Sequence, residues 1–122
     1  MFKGFVLSES LKDSTILNDF EKIYVRVEYH SEYEGEPKIW HDFKLKIKDK
    51  DMSRVTKLFS TQMKNAWYAH FWNEKTVYVV LPEKVFKIPR EKHWQSKEYQ
   101  NLKEYAIKHG VEERYLKFWI ED

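Results

Sequence analysis

Two histidines placed among aromatic residues are the side chains in this sequence best suited to chemistry. His70 lies between Tyr68 and Trp72 at a spacing of two, and His30 follows Glu28 at the same spacing. An imidazole can exchange a proton near neutral pH, and a nearby carboxylate can orient it. The pattern therefore predicts a binding or catalytic surface on which aromatic walls surround a few polar groups.

Metal and covalent sites have less support. His30 and His41 lack the close spacing of an HxH or HExxH metal motif, and the chain has no cysteine. Glycine-rich phosphate loops, GxSxG elbows and RNP aromatic motifs are also absent. We therefore expect no metal and no cofactor.

A row of lysines suggests a different kind of surface. Lys44, Lys46 and Lys48 follow one another at a spacing of two along a predicted strand. Such a strip can contact phosphates while Trp40, Trp72 and Tyr78 stack on bases, which is the pattern of weak single-stranded nucleic-acid binding. The commoner interpretation is an edge strand whose lysines prevent aggregation, so nucleic acid is not the partner that we favour.

The elements that position these residues can be read from the periodicity. Strict alternation at 22–30 and 39–48 predicts an antiparallel hairpin, and helical spacing follows Asp51. A short strand is predicted at 2–7 and three more at 66–72, 76–81 and 85–88, and a helix runs from the Ser96 cap to Gly110. The pattern predicts an α+β fold. We expect one domain over residues 1–122, with an antiparallel sheet of about five to six strands and two to three helices packed mainly on one face.

The pairing of the strands at 66–72 and 76–81 depends on the turn between them. A three-residue loop pairs Phe71 with Val77, whereas a two-residue turn pairs Trp72 with Val77. Only the first arrangement collects the aliphatic side chains on one face, as burial of a single face requires. We therefore expect Phe71, Val79 and Leu81 to be buried together.

The other face of the predicted sheet is rich in aromatic and charged groups. It carries Tyr24, Arg26, Glu28, His30, Trp40, Asp42, Lys44, Lys46, Tyr68, His70, Trp72 and Tyr78. Exposed aromatic area usually marks a contact, so something must cover or use this face. It can be covered by the C-terminal residues with Trp94, Phe118 and Trp119, by a second copy in a homodimer or by a protein partner. As a ligand site it would use Tyr68, His70, Trp72, Tyr78, Trp40, His30 and Glu28.

Composition limits the class of protein but not its activity. The 122 residues are 42% hydrophobic, 34% charged and 17% aromatic, with a net charge of +2. We expect a cytoplasmic prokaryotic protein. We also expect no membrane segment, because no apolar stretch approaches the length of a membrane helix. A binding or protein-interaction module that uses the aromatic face is the favoured function. The alternatives are a small hydrolase or isomerase with a His-centred site, and a weak single-stranded nucleic-acid binder.

Three segments also carry a resemblance. The stretch Trp67–Asn73 (WYAHFWN), the run KTVYVVLPEKVFKIPRE and the end HGVEERYLKFWIED resemble a family of small, single-domain, uncharacterised prokaryotic proteins with no assigned activity. The resemblance implies a stand-alone cytoplasmic protein. It assigns no role to any residue.

Overall fold

The computed structural model describes residues 1–122, which form a six-stranded sheet and two α-helices. The strands are β1 (Phe2–Leu7), β2 (Glu21–Tyr29), β3 (Ile39–Ile47), β4 (Ala69–Trp72), β5 (Thr76–Leu81) and β6 (Lys84–Pro89). The helices are α1 (Met52–Gln62) and α2 (Lys97–Lys108), and five short 3₁₀-helices lie at Ser8–Ser10, Ser14–Asp19, Asp49–Asp51, His93–Gln95 and Glu113–Tyr115. The α+β class predicted from the sequence is confirmed.

Every strand of the sheet is antiparallel to its neighbours, in the order β2-β3-β1-β4-β5-β6. The N-terminal strand β1 lies in the middle and joins the β2–β3 hairpin to the β4–β5–β6 meander. Strands β2 and β4 are therefore separated by two others. The two predicted groups around His30 and His70 come from different halves of the sheet.

Local capping explains where several elements begin and end. The Asp13 carboxylate accepts a hydrogen bond from the Thr15 amide, and the Ser96 hydroxyl accepts one from the Tyr99 amide at the start of α2. Gly110 follows α2 with a φ of 90°, a conformation that glycine adopts without strain. Neither α-helix combines the length and apolarity needed to cross a lipid bilayer.

The two helices lie on opposite faces of the sheet, which differs from the expected packing mainly on one face. On the first face, Val55 and Phe59 of α1 pack with side chains that include Val6, Leu45 and Phe71. On the second face, Leu102 and Ala106 of α2 pack with side chains that include Val77, Val79 and Ile88. Both faces need cover because β4 and β5 carry apolar residues on each side.

The turn between β4 and β5 shows that the expected register is wrong. Trp72 pairs with Val77 and Phe71 with Tyr78, around a two-residue turn that is closed by the Asn73 amide. Phe71, Val79 and Leu81 are all buried, but Phe71 lies on the first face and the other two on the second. The argument from one aliphatic face fails because a strand buried on both sides does not select a register by burial alone.

Gly4 allows Phe71 to lie directly over β1. The two residues are paired across β1 and β4, and a Cβ at position 4 would come within 2.1 Å of Phe71 Cδ1. The Phe71 ring is fully buried and also packs against Phe59, with 5.7 Å between the ring centroids. The sequence therefore needs glycine at this central point of the sheet.

We predict that Phe71→Ala lowers the free energy of unfolding by about 3–5 kcal/mol, because it leaves a cavity in the core. Gly4→Ala should cost about 1–3 kcal/mol through overpacking against the same ring. In the Phe71→Ala background the Gly4→Ala cost should fall, since the two ring contacts are gone, but it should not vanish, because the His70 carbonyl oxygen still lies 2.8 Å from the new Cβ. Urea denaturation of the four proteins measures this coupling, and strictly additive costs would contradict the contact.

Candidate ligand cavity

The last residues of the chain cross the second face of the sheet without forming a strand. In this C-terminal segment (residues 115–122), backbone carbonyls are bound by side chains of the sheet. His70 Nε2 donates to the Trp119 carbonyl at 2.7 Å, Tyr68 Oη donates to the Tyr115 carbonyl, and Lys44 Nζ donates to the Glu121 carbonyl at 2.6 Å. Several members of the predicted aromatic face thus hold this segment in place.

A cavity of about 740 Å³ remains between the C-terminal segment and the β2–β3–β1–β4 part of the sheet. Its volume falls within the range of about 300–1,000 Å³ typical of small-molecule sites. Aromatic side chains form much of its wall: Phe5, Tyr33, Trp40, Trp67, Tyr68, Tyr115 and Trp119. Four carboxylates and three cationic side chains also line it, namely Glu28, Glu32, Asp42, Glu112, Arg26, Arg114 and Lys117.

The cavity brings together five of the seven residues predicted as a ligand site: Tyr68, His70, Trp40, His30 and Glu28. Trp72 shares their face but is buried beneath the C-terminal segment, where its Nε1 donates to Asp122 Oδ1 at 3.1 Å. The predicted placement of Tyr78 on this face is wrong. The residue points to the first face and packs on Phe2 at 5.5 Å between ring centroids, because the true register places it opposite Phe71.

Asp42 is the most unusual polar group in the cavity. It lies on β3 between β2 and β1 and is only 8% exposed. Its Oδ1 is buried without a hydrogen-bond partner, and its Oδ2 lies 3.7 Å from Arg26. Burial and the negative charge of Glu28 raise the pKa of Asp42 from 3.8 to about 6, against the opposing effect of Arg26.

A second unpaired group lines the same cavity. The hydroxyl of Tyr115 is buried and has no partner. It and Asp42 Oδ1 are the two buried side-chain polar atoms of the chain that lack a hydrogen bond. Buried polar groups are nearly always paired in native proteins, so two exceptions on residues of one cavity mark it as the candidate site.

His70 contributes a third free atom. Burial lowers the pKa of its imidazole to about 4, although the bond to Trp119 acts in the opposite direction, so the ring is neutral at pH 7. Because a carbonyl only accepts hydrogen bonds, Nε2 must carry the hydrogen and Nδ1 keeps a lone pair. No group of the chain bonds to Nδ1. His70 is therefore a fixed acceptor and a weak base.

The charged groups at the β2 edge of the cavity are paired with one another. The His30 ring stacks on Trp40 with 3.7 Å between centroids, and its two nitrogens contact Glu32 and Glu28 at 2.9 Å and 3.2 Å. Arg26 Nε donates to Glu28 at 3.1 Å. The free carboxylate oxygen of Asp42 stands out against these satisfied neighbours.

The three lysines of β3 match neither interpretation of the sequence, a phosphate-contacting strip or a protected edge strand. Strand β3 is internal to the sheet, so Lys44, Lys46 and Lys48 do not protect an edge. Lys44 is only 4% exposed and is bound to Glu121, Lys46 is half-buried, and Lys48 is exposed beyond the end of β3. The three do not form a continuous basic surface.

Sequence reasoning missed the central role of Asp42 and did not foresee Tyr115 or Trp67 as lining residues. One signal was present: Asp42 is the single acidic residue within the 39–48 alternation. Its importance depends on β3 being an internal strand, which the sequence does not reveal. Trp94, expected to help cover the face, is more than half exposed.

No group of three or more metal-binding side chains is arranged to hold a metal ion.

Comparisons with protein-family models, with curated proteins and with solved structures found no match. The resemblance noted in the sequence therefore stays a prediction, and the cavity itself supplies the functional argument.

We predict that Asp42→Asn stabilises the protein at pH 7 by about 2–3 kcal/mol, because the buried carboxylate must otherwise be ionised at a raised pKa. A folded-state pKa raised from 3.8 to about 6 favours the fold below pH 4, and this contribution is lost as the pH rises through 6. The difference between the two proteins should therefore vanish at acid pH. Urea denaturation from pH 4 to pH 7 measures it, with Asp19→Asn, an exposed aspartate outside the cavity, as the unchanged control.

We predict the opposite pH dependence for His70. Its folded-state pKa is lowered from 6.5 to about 4, so its contribution is present above pH 6.5 and is lost as the pH falls through 4. His70→Phe keeps an aromatic ring but removes the donor to Trp119, and should cost about 1–3 kcal/mol at pH 7. The variant should also lose less stability than the parent between pH 6.5 and pH 4. An unchanged acid profile would show that His70 is not buried in its neutral form.

Proposed function

We propose that this chain is a small-molecule-binding protein whose ligand occupies the cavity between the C-terminal segment and the sheet. The single observation that carries the proposal is that the two residues of the chain with an unpaired buried side-chain polar atom, Asp42 (Oδ1) and Tyr115 (hydroxyl), both line this one cavity. A ligand that bonds to them would remove the cost of leaving them unpaired.

The free groups favour a ligand that donates hydrogen bonds. Asp42 is ionised at neutral pH and His70 Nδ1 carries a lone pair, so two of the three free groups accept. Aromatic walls attract planar groups and organic cations. Carboxylates also outnumber cationic side chains around the cavity. The ligand class that fits is an organic amine or amidine with an aromatic or planar apolar part.

A second candidate function is acid–base catalysis in the same cavity, as in a small hydrolase or isomerase. The observation that favours it is the pKa of about 6 at Asp42, which suits proton exchange near neutral pH. In that case Asp42 exchanges the proton and His70 Nδ1 accepts a hydrogen bond from the substrate, since the ring is a weak base. Turnover of generic ester substrates that disappears in Asp42→Asn would support catalysis.

The remaining sequence-based expectations stand as proposals of lower rank. A cytoplasmic prokaryotic setting fits a lysine- and glutamate-rich chain without cysteine. A protein partner on the aromatic face would meet the C-terminal segment first, because that segment covers part of the face. Single-stranded nucleic acid is the weakest candidate, since Lys44 is buried and occupied.

We predict that phenethylamine and benzamidine raise the melting temperature and change the tryptophan fluorescence, whereas phenylacetate and benzoate do not. Trp40, Trp67 and Trp119 line the cavity and report its occupancy. Affinity for the amines should increase from pH 5 to pH 7 as Asp42 ionises. A thermal-shift screen followed by fluorescence titration provides both measurements.

Asp42→Asn should abolish the response to the amines, and Asp19→Asn should leave it intact. The change is nearly isosteric and replaces a charged acceptor oxygen with a neutral NH2 donor, so a loss of binding reflects the charge and the hydrogen-bonding pattern rather than altered packing. Equal responses to amines and carboxylates, or binding that survives Asp42→Asn, would contradict the proposed ligand class. No response to any member of the set would count against the cavity as an amine site.

A further inference from the structure

The outer edge strand β2 carries an apolar row that no part of the chain covers. Its first-face side chains include Val25, Val27 and Tyr29, which are 45%, 64% and 72% exposed. Ile39, paired with Tyr29 on β3, extends the row and is 52% exposed. Nine residues of β2 also present one unpaired backbone edge, since β3 is its only neighbour in the sheet.

The opposite edge of the sheet is built differently. Strand β6 has six residues, and exposed Lys84, Lys87 and Pro89 interrupt it. Lysine and proline at an edge are the usual protection against pairing with another strand. Strand β2 has no proline and a single lysine, Lys22 near its start, whose Nζ is bound to the carbonyls of Leu17 and Phe20. The two edges therefore differ in whether they permit pairing.

The sequence of β2 is complementary to itself. If two copies of β2 pair antiparallel with Val27 opposite Val27, then Val25 lies opposite Tyr29 and Arg26 lies opposite Glu28. The first face gains a continuous apolar row of three cross-strand pairs. The second face gains two pairs of opposite charge, which stabilise a sheet where like charges would oppose it. A one-residue shift of register would lose both features.

We propose that the protein forms a homodimer through antiparallel pairing of β2 with β2 of a second copy, centred on Val27, to give a continuous twelve-stranded sheet. The second copy is the occupant that the strand itself specifies, because the apolar and charged positions match only when β2 meets its own sequence reversed. The interface shares Arg26 and Glu28 with the wall of the cavity, but its centre at Val27 lies on the other face of β2 and does not line the cavity.

Sedimentation-velocity analysis over a wide range of protein concentration tests the dimer. The unmodified chain should sediment as a dimer, and Val27→Lys should be monomeric because it places two like charges at the two-fold axis. Ile107→Lys is the matched control: it changes an exposed aliphatic residue on α2, far from β2, and should remain dimeric. Circular dichroism checks that each variant is folded, and Val27 tolerates substitution because it is exposed.

Single cysteines test the register, because the chain contains no other cysteine. Directly opposite residues of an antiparallel pair have Cα atoms about 4.5–5.5 Å apart, which is within the range of a disulfide. Under mild oxidation Val27→Cys should form a covalent dimer, whereas Val25→Cys alone and Ile107→Cys should not. A mixture of Val25→Cys and Tyr29→Cys should link the two chains to each other.

Each outcome decides the proposal. A monomer at the highest concentration would overturn it, as would a dimer that survives Val27→Lys. Covalent linkage of Val25→Cys to itself in place of Val27→Cys would overturn the register. Asp42 lies on β3 opposite Arg26, on the face away from the apolar row, so Asp42→Asn should leave the pairing at Val27 and the dimer intact whatever it does to amine binding.

Discussion

The pinning of an irregular C-terminal segment onto the sheet is the constraint on which much of the structure depends. A segment outside a β-ladder leaves its backbone carbonyls to be satisfied by side chains. Here Tyr68, His70 and Lys44, all on the second face, supply those donors to residues 115–122. This explains why costly aromatic and cationic side chains replace small polar ones on these strands. The histidine that looked most catalytic is first of all a fixed donor to the chain's own backbone.

The cavity follows from how the second face is covered. Helix α2 closes over β5 and β6 with Leu102 and Ala106, as a helix can pack tightly on a sheet. The C-terminal segment covers the other half, where the space beneath it is lined by Phe5 on β1 and Trp40 on β3. Asp42 lines this space, and its buried Oδ1 has no hydrogen-bond partner. Retaining a carboxylate at such a cost to stability is typical of a functional position rather than a packing position.

The sequence predicted the elements better than their arrangement. Alternation and caps such as Ser96 place all six strands and both helices, because these signals are local. Strand order and the β4–β5 register depend on which faces are buried, and Tyr78 was misplaced because β5 is covered on both sides. Five of the seven proposed ligand-site residues nevertheless line the cavity, since β2, β3 and β4 kept their predicted alternation. Asp42 was placed on the correct face but left out of the predicted ligand site, because its isolation depends on β1 lying beside it.

The two titrating groups of the cavity give it a hydrogen-bonding pattern that changes with pH. Above about pH 6 Asp42 is an anionic acceptor, and neutral His70 offers a second acceptor at Nδ1. Between about pH 4 and pH 6 Asp42 carries a proton and becomes a donor, while His70 is still neutral. The same walls then present a donor and an acceptor, which suits a neutral polar ligand better than a cation. Because burial raises the pKa of Asp42 and lowers that of His70, Asp42 changes from acceptor to donor without placing a positive charge on His70.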